Sequence, residues 1–124
     1  MRNTGFVLIV LFLIISVIYL VFFKPTDEFT ENDLYNEIIQ RGYIKVGINT
    51  DSQPFGFYDK HGNIIGYDAD LAAYIAEYIL KDRTKVKFTP VTPSNRLIAA
   101  STGEVDMVIS TVTITPARQE IVSF

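Results

Sequence analysis

The chain holds 124 residues with a net charge of −3 and no cysteine, so disulfide staples and thiolate chemistry are excluded. The acidic balance and the scattered basic residues argue against a nucleic-acid-binding surface. Residues 1–5 read as a cytoplasmic n-region, and Phe6 to Phe23 form an apolar run relieved only by Ser16 and Tyr19. An uncharged run of that length reads as a transmembrane helix that stays as an uncleaved anchor, with a cleaved signal peptide as the alternative. Arg2 and the amino terminus favour an N-in orientation, which Lys24 weakens. No small-x-small cleavage site follows in Val21-Phe22-Phe23-Lys24-Pro25, and the lack of cysteine excludes lipoprotein attachment. Either alternative places the rest of the chain outside the cytoplasm, in the periplasm or at the cell surface.

Residues 24–40 read as a linker and a short helix. Pro25 to Asn32 is polar and acidic, and Asp33 to Arg41 is amphipathic through Leu34, Ile38 and Ile39, ending at Gly42. A domain is expected over 41–124. Tyr43 to Ile48 predicts the first strand, Asn49 to Pro54 a loop, and Phe55 to Tyr58 an extended piece. Asp59 to Asn63 has turn chemistry and leads into Ile64-Ile65-Gly66, a small hairpin. His61, the one histidine, lies in that turn and reads as a solvated residue rather than a metal ligand.

Asp68 to Leu80 predicts the main helix, with Leu71, Ala72, Ile75, Tyr78 and Ile79 as its inward face. Asp68 and Asp70 suit its N-terminus, Asp68 as the cap. Val86 to Pro90 predicts a second strand. Asn95 to Ser101 predicts a short helix with Leu97, Ile98 and Ala100 inward, closed by Gly103. Val105 to Ile109 is apolar on both faces except at Asp106, as a central parallel strand would be. Asp106 is expected to organise backbone amides rather than act as an acid. Strands alternating with helices give an α/β class: a parallel sheet flanked by helices.

The chemistry concentrates in Ser110-Thr111-Val112-Thr113-Ile114-Thr115-Pro116-Ala117-Arg118. A strand runs into hydroxyl residues, and a helix start follows with Thr115 as N-cap and Pro116 at the first helical position. Arg118 falls in the first turn, close to Ser110, Thr111 and Thr113. Hydroxyls, free N–H groups and a guanidinium at a helix start form a receptor for a small carboxylate. The alternative is that the hydroxyls only cap a helix and Arg118 lies on a solvated face. No Ser/His/Asp grouping, P-loop or metal spacing is present, so neither enzyme chemistry nor a cofactor is expected.

The order of these motifs resembles a known family. Val46-Gly47-Ile48 is followed by Pro54-Phe55-Gly56-Phe57, Gly62 and Gly66-Tyr67-Asp68-Ala69-Asp70-Leu71. Asn95-Arg96-Leu97, Gly103-Glu104-Val105-Asp106, Thr111 to Arg118 and Val122-Ser123-Phe124 complete the set. Tyr43 to Phe124 thus resembles the bacterial extracellular solute-binding proteins of the polar amino-acid type, family 3, with the periplasmic binding protein-like II fold. The resemblance implies two α/β lobes closing on a ligand about a hinge. It implies that Arg118 takes the ligand α-carboxylate through two hydrogen bonds, that Thr113 adds a hydroxyl and a backbone N–H, and that Ser110 and Thr111 meet the α-ammonium. Ser52 and Pro93 stand where cationic-residue and glutamine binders often carry aromatics. Arg96 matches an arginine that holds the side-chain carboxylate in glutamate and aspartate binders, or is simply exposed in the first turn of its helix. Asn49 either bonds a ligand side chain or holds the turn after the first strand.

Phe124 falls where the family would continue toward the hinge, so the resemblance covers the N-terminal lobe only. A half-site leaves a ligand largely solvated, so low affinity is expected, and an open sheet edge is a liability. A fragment, a truncated gene product or a degenerate copy fits that expectation. The function implied for the parent is the substrate-binding component of an ABC-type importer that passes a polar amino acid, glutamate or aspartate first, to membrane permease subunits. The alternatives are the ligand-sensing ectodomain of a membrane receptor or kinase, and an enzyme built on the scaffold, either a cyclohexadienyl dehydratase or a lytic transglycosylase.

Overall fold

The computed structural model describes residues 4–22 and 31–124. The chain divides into two units, Met1–Thr30 and Glu31–Phe124. Most of the expected linker lies outside the described residues. In the first unit, helix α1 runs over Thr4–Phe22, 19 residues in all. Among the described residues no helix is long and apolar enough to cross a membrane. A helix thus forms where the apolar run was expected to, and a membrane crossing is not shown.

The second unit runs in chain order as α2 (Glu31–Arg41), β1 (Ile44–Ile48), β2 (Asp51–Ser52), β3 (Gly56–Tyr58) and β4 (Ile64–Ile65). It continues as α3 (Tyr67–Leu80), β5 (Val86–Pro90), α4 (Arg96–Ser101), β6 (Met107–Ile109) and α5 (Pro116–Gln119). Strands β5, β1 and β6 form a parallel sheet in that order, with Val46 level with both Phe88 and Met107. A small antiparallel sheet, β2-β3-β4, branches off after β1, so the segment expected as a loop after Ile48 contributes a strand.

The centre of the parallel sheet is β1, whereas the sequence pattern pointed to Val105–Ile109. Both faces of β1 are covered. Ile44, Val46 and Ile48 are fully buried, and a Cβ on Gly47 would press on the Val108 and Val91 side chains at 3.0 and 3.1 Å. The strand after Val105 is shorter than expected, and just ahead of it Asp106 turns its carboxylate to the backbone N–H of Lys45 at 2.7 Å. That contact bears out the expected role of Asp106. One face of the sheet packs Ile44 and Val46 against Ile38 of α2 and Ala72 and Ala76 of α3. A second cluster joins Val91, Ala99 of α4 and Val105, with Val108 packed against it.

Two helical faces differ from the expected ones. On α3, the buried residues are Ala69, Ala72 and Ala76, while Leu71 and Tyr78 are 49% and 78% exposed. Alanine lets the helix backbone approach the sheet closely, so the small residues win the inward stripe over the large ones. On α4, Arg96 and Ala99 are buried and Ile98 is exposed. Asp68 does not cap α3. Gly66 is the N-cap residue, and the first N–H groups, of Tyr67 and Asp68, donate to the carbonyls of Pro54 and Phe55 at 3.2 and 2.9 Å. Burial pushes the Asp68 carboxyl above the ordinary aspartate range.

The hairpin turn holds as expected, and His61 is exposed within it. Asp59 accepts from the His61 and Asn63 backbone at 2.7 and 2.9 Å and from the Asn63 side chain at 3.0 Å. The Asn63 side chain, followed by the surrounding backbone N–H groups, holds the Asp59 carboxyl below the ordinary value. A lowered folded pKa adds stability above the unfolded value that is lost as pH falls through the folded one. Asp59→Ala should therefore lower the thermal midpoint at pH 7 and lower it less at pH 3. Equal losses at both pH values would refute the carboxylate's role.

Candidate anion-binding site

The three parallel strands end at one edge of the sheet, the place where α/β folds of this kind bind ligands. Asn49 leaves β1 there, the Val91–Asn95 loop leaves β5, and Ser110 leaves β6. Asn95 shapes its loop by accepting the Thr92 N–H at 2.7 Å, while Thr92 accepts the N–H of Arg96 at 3.0 Å. That closed loop starts α4 with Arg96 turned inward. Arg96 is only 7% exposed, which removes the reading of it as a solvated residue. Its Nη1 donates to Ser110 Oγ at 3.3 Å and to the Thr111 carbonyl at 3.2 Å.

The segment then turns into α5 as its residue types require. Thr115 has extended backbone and its Oγ1 accepts the Arg118 N–H at 3.4 Å, with Pro116 at the helix start. Arg118 is half-buried, and its Nη1 donates to the Thr113 carbonyl at 2.6 Å. The hydroxyl residues are thus shared between two guanidiniums. Ser110 and Thr111 meet Arg96, and Thr113 meets Arg118, whereas the spacing alone had grouped all three around Arg118. Asn49 spends its side-chain carbonyl on the Asp51 N–H at 2.9 Å, so it holds the turn after β1.

The electrostatics of this edge are unusual. Among the described residues the carboxylate partners go to Arg41, Lys45 and Arg83, and neither Arg96 nor Arg118 has one. A buried guanidinium without an acid is unfavourable unless something else supplies negative charge. No buried side-chain nitrogen or oxygen among the described residues lacks a hydrogen bond, so the unbonded edge of Arg96 reaches solvent. Two cations fixed to carbonyls two residues apart, with free N–H edges, suit an anion with more than one oxygen. No local sequence signal marked Arg41 as the partner of Asp106, because 65 residues separate them.

Residues 44–124 match the model of the bacterial extracellular solute-binding proteins, family 3. The chain belongs to that family. It is 33% identical over 102 residues to the glutamine-binding protein of Geobacillus stearothermophilus, covering 82% of this chain and 39% of the relative. It is 31% identical over 93 residues to the glutamate/aspartate import solute-binding protein of Escherichia coli, covering 72% of this chain and 31% of the relative. The chain therefore spans less than two fifths of the length of either relative. A solved cysteine-binding protein from Campylobacter jejuni superposes with a TM-score of 0.70 at 38% identity, covering 73% of this chain and 36% of that one. A variant of the arginine-bound form of domain 1 from TmArgBP superposes with a TM-score of 0.66 at 38% identity, covering 73% of this chain and 67% of that domain.

Proposed function

We propose that this chain forms the first lobe of an amino-acid-binding component of an ABC-type importer, working outside the cytoplasmic membrane with permease subunits as partners. The observation that carries the reading is the pair of acid-free guanidiniums, Arg96 and Arg118, at the C-terminal edge of the parallel sheet. Arg118, with Thr113, receives the α-carboxylate, and Ser110 and Thr111 lie beside the α-ammonium. Arg96 receives a second carboxylate, so the ligand is glutamate or aspartate. The names of the relatives support an amino-acid ligand and span glutamine, glutamate/aspartate, cysteine and arginine. The acidic choice therefore rests on Arg96. The domain 1 neighbour, described as arginine-bound, supports binding by one lobe, which we take here as residues 41–124. The apolar 6–23 segment serves export, either retained as an anchor or removed, and the mass of the mature protein separates these two fates.

Titration of the full chain in mild detergent with glutamate, aspartate and alanine, followed by calorimetry, tests the reading. Saturable binding of an amino acid supports it, and the lack of any binding up to millimolar concentration sinks it. Arg96→Ala should weaken glutamate and aspartate by roughly thirtyfold, about 2 kcal/mol, and alanine far less. Equal losses for acidic and neutral ligands would make Arg96 a strut for Ser110 and Thr111 and nothing more. A second reading is an enzyme of the same scaffold, since one solved neighbour is an ancestral amino-acid-binding protein described as a precursor of cyclohexadienyl dehydratase. The relatives named above are binding proteins, which favours the non-catalytic role.

A further inference from the structure

We infer that Arg41 is a positioning residue for the anion site, acting through Asp106 and strand β6. The family match begins at residue 44, so Arg41 and the whole of α2 lie ahead of it. Arg41 nevertheless reaches into the lobe. Its Nη2 pairs with Asp106 Oδ2, and the Asp106 side chain is only 4% exposed. The other two nitrogens of the Arg41 guanidinium are also engaged, Nε on the Tyr43 carbonyl at 3.2 Å and Nη1 on Glu37 at 2.8 Å. Its guanidinium also lies 4.9 Å from the Tyr43 ring centroid. A side chain tied at that many points holds its partner in one place.

The position of Asp106 is what makes this matter for the site. It stands one residue before β6, and its carboxylate also accepts the Lys45 N–H at 2.7 Å. β6 is three residues long and, among the described residues, pairs only with β1, so few ladder bonds hold it. Directly after it come Ser110 and Thr111, which supply both acceptors of the buried Arg96 guanidinium. Loosening Asp106 lets β6 slide against β1 and withdraws those acceptors. The inference rests on the amino-acid-binding reading, because it is the aim of Arg96 that Arg41 controls.

The test uses the full chain with Arg41→Ala, Arg41→Lys and a control, Arg83→Ala, which breaks the exposed Arg83–Glu77 pair. Glutamate affinity is measured well below the unfolding midpoint, together with the backbone amide resonances of Ser110 to Thr113 in the ligand-free protein. Arg41→Ala should weaken glutamate about tenfold and shift those resonances, Arg41→Lys should recover part of both, and Arg83→Ala should change neither. A lower thermal midpoint with unchanged affinity and unshifted resonances would leave Arg41 as a stabilising residue only and overturn the inference. If the unaltered chain binds no amino acid, the functional reading fails, and the resonances alone decide the coupling. Should the alanine variant not fold, Arg41→Lys decides by the same two readouts.

Discussion

Arg118→Ala should remove measurable amino-acid binding, by about 3 kcal/mol or roughly two orders of magnitude in affinity. The Arg118 guanidinium already spends Nη1 on the Thr113 carbonyl, which sets its plane and leaves its other N–H groups for a carboxylate. Charge-assisted pairs of this geometry are about twice as strong as neutral hydrogen bonds, and among the described residues the proposed α-carboxylate position has no other cation of comparable fixity except Arg96. Arg118→Lys should lose most of the same affinity, because an ammonium offers a point charge in place of a planar fork. The fold should survive both changes: Arg118 is half-buried, and the N-cap bond of Thr115 uses the Arg118 backbone rather than its side chain. Calorimetry with the preferred amino acid checks the prediction, and an unchanged affinity for Arg118→Ala would remove Arg118 from the site.

Gly66→Ala should cost about 3 kcal/mol or more of folding stability, a large part of what a small lobe has. Gly66 has φ 120° and ψ −179°, a region open essentially to glycine alone. A Cβ there would also overlap the Phe55 carbonyl oxygen and crowd the Pro54 carbonyl at 2.7 Å. Those two carbonyls accept the first N–H groups of α3, so relieving the overlap breaks the start of the longest helix of the lobe. The damage would extend to β1, since Ala72 and Ala76 of that helix pack against Ile44 and Val46. Urea unfolding followed by circular dichroism gives the loss. A midpoint within 0.5 M of the unaltered protein, taking that as about 1 kcal/mol of stability, would contradict the strain argument.

The candidate anion site was legible in the sequence to different degrees at its different residues. Thr115 and Pro116 marked their helix start because a capping hydroxyl and a fixed φ act within one turn. Arg118 followed, since a first-turn side chain reaches the segment just ahead of it. Arg96 was ambiguous between exposed and functional, because a six-residue helix has too short a period to say which side faces in. Its burial depends on Ser110 and Thr111, more than a dozen residues away. Asn49 was likewise open, and its side-chain carbonyl holds the turn by accepting the Asp51 N–H.

The sequence by itself determined the alternation of strands and helices, the hairpin around Asp59, the Thr115 cap and the family. Each rests on periodicity, turn chemistry or ordered motifs that act over a few residues. Only the tertiary structure decided which strand is central, which side of α3 faces in, and how Ser110, Thr111 and Thr113 divide between Arg96 and Arg118. Those outcomes depend on packing across the sheet. Alanines beat larger residues for the inward face because they let backbones approach, and Asp106 turned to Lys45 and Arg41 across more than sixty residues of chain. Pairings of that separation leave no period in the sequence, because they are set by where the folded backbone brings charges and apolar surfaces together.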